Sequence, residues 1–341
     1  MKWGNGRRRS REQTTQTSPR WQLDEGVPLV RPAEGDVLVS ASIGPAGELV
    51  ALWSNAADEA ALRSVTTQPG WATFPDPATD RPVPVRVSRQ TGDAVDVMSL
   101  PGLTLAHPTA QPLPGGRMLV VGARCRWRPN GPDRNGVIYD SNGRIEAQAT
   151  LGDGIEHVLT TTSGDVWVGY FDEGVYGNYG WGSGDAPPPL GNMGLVRFSP
   201  ELEPTWRFPS HVDNDAGAID DCYALNVSDD ATWTCYYSGF PIVRIHGDDV
   251  TGWRNQTDGA KALAVAGTRI GLLGGYGQQH DRFVVGELDG ETMRVVGTHR
   301  LVLPDGTPLP PHVTVVGRGP VLHLITAERW HQLNLDHVPA T

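Results

Sequence analysis

The sequence predicts an all-β fold, a six-bladed β-propeller of four-stranded antiparallel blades. Three observations predict it. An apolar run, a tight turn and a second apolar run recur six times in 341 residues, with turns at 45-PAGE-48, 114-PGGR-117, 162-TSGD-165, 228-SDDA-231, 266-AGTR-269 and 317-GRGP-320. A third strand-like run follows each hairpin, and a fourth closes five of the six units. No stretch sustains apolar spacing at i, i+3, i+4 and i+7 beyond about two turns, and 42 Gly and 28 Pro favour turns over long helices.

The elements follow in order. The second strands read ELVALW, RMLVVGA, DVWVGYF, ATWTCYY, RIGLLGG and PVLHLIT. The third are 83-VPVRVSR-89, 136-GVIYD-140, 194-GLVRFS-199, 241-PIVRIH-246, 282-RFVVGEL-288 and 329-RWHQLNL-335; the fourth are AVDVMSL, RIEAQATL, PTWRF, VTGWRN and MRVVGTH. One such unit cannot bury both faces of its sheet, whereas units packed side by side can. The sixth unit lacks its fourth strand, and 20-RWQLD-24 is spare at the other end. Pairing that strand into the last blade would close the ring and remove an exposed edge. Residues 20–341 are then one propeller domain behind a disordered basic tail, 1–19, with 56-AADEAALRS-64 as one short helix. Seven blades are the alternative if 56–103 holds a further unit, and two stacked β-sandwiches a third arrangement.

The totals exclude some functions. A net charge of −11 opposes nucleic-acid binding, which relies on Lys and Arg neutralising phosphates. No apolar run approaches the length of a transmembrane helix, and 7-RRRSR-11 has no apolar segment after it to make an export signal. Three cysteines, Cys125, Cys222 and Cys235, without a CxxC, are no disulfide framework. A cytoplasmic protein is expected, with no nucleic-acid or membrane partner.

Naming the strands of a blade A to D from the axis outward, the long insertions 54–82, 123–135, 171–193 and 275–281 are all B–C loops. They share one face with the D–A loops, and long irregular loops in a compact domain are usually functional or disordered. That face offers Trp127, Tyr176, Tyr179, Trp181, Tyr236, Tyr237, Tyr276 and His280 as ligand-binding candidates. Tyr and Trp present rigid apolar area with a polar tip, which suits ligands and partners. The inner strands begin seven to nine residues before their turns. Glu156, His157, Asp221, Lys261 and His312 stand there as candidate acid–base or charge-stabilising groups, beside His107, Asp220 and Cys222, with Asp36 and Ser40 in the first blade. Side chains alternate along a strand, so only some of these face the axis. Cys222 and Cys235 are nearly symmetric about the turn at 228–230 and are read as neighbours on adjacent strands, either two small buried hydrophobes or a soft-metal pair.

The run Ile155–Gly169, with its Gly-Asp turn and Trp-Val-Gly, resembles the repeat of sensor-type and six-bladed propellers. The chain looks like a bacterial propeller family distinguished by 170-YFDEGVYGNYGWG-182, 218-AIDDCYALNV-227 and 236-YYSGFPIVRI-245. Gluconolactonase-like and strictosidine-synthase-like propellers hold a central divalent metal with carboxylates and amides from inner strands. The resemblance implies a calcium or zinc ion on Glu156 and Asp221 here, although no pair of asparagines stands at matching positions. Fold alone does not give function. The expected function is binding of a small molecule or a protein or peptide at the face of the D–A and B–C loops. The alternative is a metal-dependent hydrolase, lyase or isomerase at the channel mouth, and a third reading is an assembly scaffold.

Overall fold

The computed structural model describes residues 18–67, 70, 73–210, 212 and 216–339; the 7-RRRSR-11 cluster lies outside them. Alternating apolar runs separated by Gly-rich turns become strands throughout. The chain enters through β1 (Arg20–Gln22) and β2 (Val27–Pro28). β3 (Asp36–Ile43) and β4 (Leu49–Asn55) lead through α1 (Glu59–Leu62) and the short pair β5 (Val65–Thr66) and β6 (Phe74–Pro75) to β7 (Ala78–Thr91) and β8 (Ala94–Leu105). Next come β9 (Pro108–Leu113), β10 (Arg117–Gly122), β11 (Gly136–Tyr139) and β12 (Ile145–Ala149). β13 (Ile155–Thr160) and β14 (Val166–Tyr170) precede α2 (Asp172–Tyr176), β15 (Leu195–Phe198) and β16 (Pro204–Arg207). β17 (Asp221–Val227), β18 (Thr232–Tyr237), β19 (Ile242–His246) and β20 (Asp249–Trp253) follow. The last strands are β21 (Ala260–Ala266), β22 (Arg269–Gly274), β23 (Arg282–Asp289), β24 (Thr292–Val302), β25 (Thr314–Arg318), β26 (Val321–Ile325) and β27 (Arg329–Asn334).

These strands make an all-β fold of several antiparallel sheets. The orders are β3-β4-β7-β8, β9-β10-β11-β12, β13-β14-β15-β16 and β21-β22-β23-β24-β1. A further run, β17-β18-β19-β20, joins β25-β26-β27-β2 through one parallel pair, Asn226 with Gly317. Among the described residues no sheet closes on itself. The expected helix in 56–64 is α1, and among the described residues 56–103 adds only the β5–β6 pair besides strands of the first sheet.

Alternation along the second strands explains how the sheets pack. On β10, Met118 and Val120 face one core cluster and Leu119 and Val121 the next. On β14, Val166, Val168 and Tyr170 face one cluster and Trp167 another. Each sheet is therefore apolar on both faces and must be covered on both. A fully buried side chain of this size contributes about 1.5–3 kcal/mol, so stacking sheet on sheet is the main stabilising term. Neighbouring sheets meet through their first strands: β3 against β9, β9 against β13, β13 against β17, β17 against β21, β21 against β25 and β25 against β3.

The N-terminal segment departs from expectation. Arg20–Gln22 pairs in parallel with Arg300–Val302 of β24, at the edge of the fifth sheet, not the last. The last sheet receives Val27–Pro28, antiparallel to β27. The intervening chain is held by Leu23 N–H donating to the Val302 carbonyl (2.9 Å) and Arg329 donating to the Gly26 carbonyl (2.9 Å). Gln90 of the first sheet donates to the Pro28 carbonyl (2.9 Å), so residues 20–30 tie three sheets together.

The first strands are locked at their C-terminal ends by a layer of buried polar groups. The Arg318 guanidinium donates to the carbonyls of Thr160 (2.8 Å), Val227 (2.9 Å) and Ile43 (2.9 Å) and to Gln111 Oε1 (3.1 Å). Asn226 Nδ2 donates to the carbonyls of Leu263 and Gly319 (2.9 Å each), and Gly319 N–H donates back to Asn226 Oδ1 (2.9 Å). Arg318 and Asn226 between them touch all six first strands.

Candidate functional site

Above this layer lies a cavity of ≈ 440 Å³. Each first strand contributes to its wall, with Ser40, Thr109, His157, Leu225, Lys261 and Val315 as one residue from each. Gly317 also lines it, at a point where an added Cβ would fall 1.8 Å from the Leu263 carbonyl. Glu156, His157 and Lys261 sit where β13 and β21 begin, away from the Arg318 end. In an antiparallel order the connections between second and third strands emerge at that same end. The long segments 56–77, 123–135, 171–194 and 275–281 are all such connections.

His157 is the most telling residue. It is half-buried, and its Nε2 is shut from solvent without a hydrogen-bond partner. Burial first holds its pKa below the ordinary value, while backbone hydrogen bonds at Tyr223 and Cys222 act on the same ring in the opposite sense. Ser40 Oγ, from β3 in the lining of the same cavity, is likewise enclosed and unpartnered. Asp221 is half-buried, and burial is the main cause that pushes its carboxyl up to about 6; Lys261 opposes the shift, and Glu156 and Asp172 add to it. Lys261 is exposed, its ammonium 4.1 Å from the centre of the Tyr223 ring.

An aromatic group adjoins these charges. Tyr223 packs edge-on against Phe240 (5.1 Å between ring centres) and Tyr276 (6.3 Å), and Tyr237 against Phe240 (5.8 Å). The Tyr276 hydroxyl donates to that of Tyr223 (3.2 Å), and the Tyr176 hydroxyl donates to Asp220. Tyr176, Tyr237 and Tyr276 are 67%, 48% and 51% exposed, so this cluster is open to a ligand.

Other sequence candidates fall elsewhere. Trp181 and Tyr236 are buried, Trp181 Nε1 donating to the Cys125 carbonyl (2.8 Å) and the Tyr236 hydroxyl to the Ala216 carbonyl (2.9 Å). Tyr179 lies 4.5 Å under the Arg124 guanidinium, and its hydroxyl donates to the Pro75 carbonyl (2.7 Å). Trp127 N–H donates to the Tyr179 carbonyl (3.0 Å), so all three long loops of the first three sheets meet here. His280 Nε2 bonds the Leu309 carbonyl (2.9 Å). These five therefore anchor loops or fill the core. His312 lines a separate groove of ≈ 890 Å³ between β3 and β25, which meets the first cavity at Ser40 and Thr314.

The metal implied by resemblance is not matched. Among the described residues, no group of three or more His, Cys, Asp or Glu side chains is placed to hold an ion. Glu156 and Asp221 instead share their surroundings with an ammonium. Cys222 and Cys235 pack into different core clusters, because β17 carries an irregularity between Asp221 and Ala224, and Ala224 is the residue opposite Cys235. Both thiols are buried and pushed up by that burial, Cys222 to about 12, so neither offers a thiolate.

Sequence reasoning missed Tyr223 and Phe240. Tyr223 lies two residues beyond Asp221, which on a regular strand would put the two on one face. Phe240, at φ +51° just before Pro241, carries no sequence signal for its place in the cluster.

A family model described as "YxzG family" matches residues 209–272. No curated protein matches the chain in sequence. In structure the chain is similar to the β-propeller domain of Cps50 (Swd1) from Myceliophteria thermophila, at 8% identity and TM-score 0.49, over 94% of this chain and 88% of that one. It is also similar to a functionally unknown protein from Desulfotomaculum acetoxidans (8%, TM-score 0.46, 92% and 89%) and to a chain of a mitotic checkpoint complex (7%, TM-score 0.44, 98% of each).

Proposed function

We propose that residues 20–341 form a six-bladed propeller that binds a small-molecule ligand where the cavity opens among the long loops. The cyclic order of first-strand neighbours, β3 through β25 and back to β3, supports six blades around one axis. The segment 20–30 fastens that arrangement by its bonds to three sheets. Under this reading Arg318 and Asn226 shut one end of the axis, and the cavity is a cup rather than a tunnel.

One observation carries the binding reading. Glu156, His157 and Lys261, from β13 and β21, line a preformed cavity beside the cluster of Tyr223, Tyr237, Phe240 and Tyr276, of which Tyr237 and Tyr276 are exposed. Ligand sites are typically concave, largely apolar and furnished with a few convergent polar groups. Among the described residues no hydrogen bond pairs a nucleophile with a base at this cavity, and the aromatic cluster favours the binding reading.

The test is retention of a small molecule by native mass spectrometry after incubation with a metabolite extract. The wild type is expected to retain a discrete mass. The Tyr237→Ala/Tyr276→Ala double variant is expected to lose it at least about tenfold, with its melting temperature nearly unchanged because both rings are half exposed. Equal retention by both proteins, or retention by neither, would contradict this reading.

A further inference from the structure

We infer that residues 20–30 act as an acid-released latch: a fall in pH frees them from the fifth and last sheets and opens the groove between β3 and β25. Three buried histidines are set against this one segment. His299, on β24, has the Trp21 ring edge-on against it (5.7 Å between ring centres) and Phe283 at 6.5 Å. Its Nε2 is enclosed without a hydrogen-bond partner. His323, on β26, accepts at Nδ1 from Trp330 Nε1 (3.0 Å). Trp330 is in turn the residue opposite Val27, and it packs with Val27 and Leu29. His331, on β27, bonds the Asp24 carbonyl through Nδ1 (2.9 Å). Gly26 lies so close to the same nitrogen that an added Cβ would fall 2.7 Å from it.

The surroundings of these rings do not favour a positive charge. Nearest to His299 in the register of the three strands are Arg20, Arg282 and Arg300; Arg282 pairs with Asp258, and Arg300 with Asp281. His323 lies opposite Val316 and Gln332, and the charge that acts on it is the Arg318 guanidinium, which repels a second cation. Beside His331, Arg329 donates to the Glu25 carbonyl (2.6 Å) and the Gly26 carbonyl (2.9 Å) and lies 3.8 Å from the Glu25 carboxylate. Burial holds the pKa of both His299 and His323 below the ordinary value. Once protonated, His323 can no longer accept from Trp330, and His299 regains hydration when Trp21 moves off. The closed segment refuses a proton that an open one takes up below about 6.5, so the closed state is favoured above that pH and loses ground below it. Glu25, Arg329 and His331 line the groove of ≈ 890 Å³, so release of the segment removes the Glu25 wall and uncovers the other two.

Hydrogen–deuterium exchange of the full chain at pH 7.5 and pH 5.0, corrected for the intrinsic rate, reads the latch directly. Peptides spanning 20–30 are expected to exchange at least about tenfold faster at pH 5.0, since one linked proton shifts an opening by up to about tenfold per pH unit. Peptides from β13 to β18 are expected to keep their protection. His299→Phe keeps an aromatic ring beside Trp21 and is expected to remove most of the acid response at residues 20–24. Trp21→Ala is expected to open the segment at both pH values with β13 to β18 still protected. Equal protection of 20–30 at the two pH values in the wild type would overturn the latch. So would an acid response that persists unchanged in both His299→Phe and His323→Gln, or a loss of protection spread evenly over all sheets.

Discussion

Arg318 shows how much one residue does in this chain. Its guanidinium is buried, faces carbonyls and Gln111 rather than a carboxylate, and burial brings its pKa down to about 10. A charge in that position is tolerated only because its donors are spent on strand ends that would otherwise be unsatisfied. Arg318→Met is expected to lower stability by about 1–3 kcal/mol for each buried carbonyl left without a donor, measured by denaturant unfolding; a loss under about 1 kcal/mol in all would show the layer to be dispensable. In the sequence this arginine sits within 317-GRGP-320 and reads as a turn residue. Nothing local reveals that it reaches four other strands. His323 makes a second test. Burial depresses its pKa to about 4, and its Nδ1 accepts from Trp330 Nε1 (3.0 Å). The unfolded chain takes up this proton below about 6.5, whereas the folded one refuses it until about 4. The stability that neutral His323 contributes is present above pH 6.5 and is lost as pH falls to 4, about 3 kcal/mol in all. His323→Gln, which keeps an acceptor, is expected to flatten the acid limb between pH 6.5 and 4; an unchanged limb would assign acid unfolding to other groups. Asp221, pushed up to about 6, has the opposite slope, so the difference between variant and wild type isolates the histidine.

At the scale of elements, strands were the legible part. Period-two alternation and Gly-rich turns located the hairpins and the long second-to-third connections, because both are local properties of the chain. Pairing partners were less legible. Arg20–Gln22 was expected in the last sheet and lies on β24, since which edge a short strand meets depends on distances that alternation does not encode. The loops tell a similar story. Composition marked their aromatic residues, but not which of them face inward. Trp181 is buried and bonded to the Cys125 carbonyl, tying the loop after β14 to the loop after β10. Trp181→Ala is expected to cost about 3 kcal/mol or more and to leave ligand affinity unaltered in the folded fraction. A stable variant with weakened binding would return Trp181 to the site.

At the scale of the molecule, sheets that are apolar on both faces can be satisfied only by neighbours on both sides, and the contacts among first strands supply them. The candidate site follows from that packing: its charged groups start different first strands and come together only when the sheets assemble. The sequence marked Glu156, His157, Asp221 and Lys261 by their distance from the turns. It could not tell His312, which faces the outer groove, from the residues that line the cup. The most direct test of the proposed ligand site is nitrogen NMR of the His157 imidazole, recorded alone and with the ligand retained in the mass-spectrometry experiment. The predicted result is a His157 ring that protonates below the ordinary histidine pKa, as its burial dictates, and whose resonances move when the ligand is added. A ring that protonates at the ordinary histidine pKa, or resonances indifferent to the ligand, would contradict it.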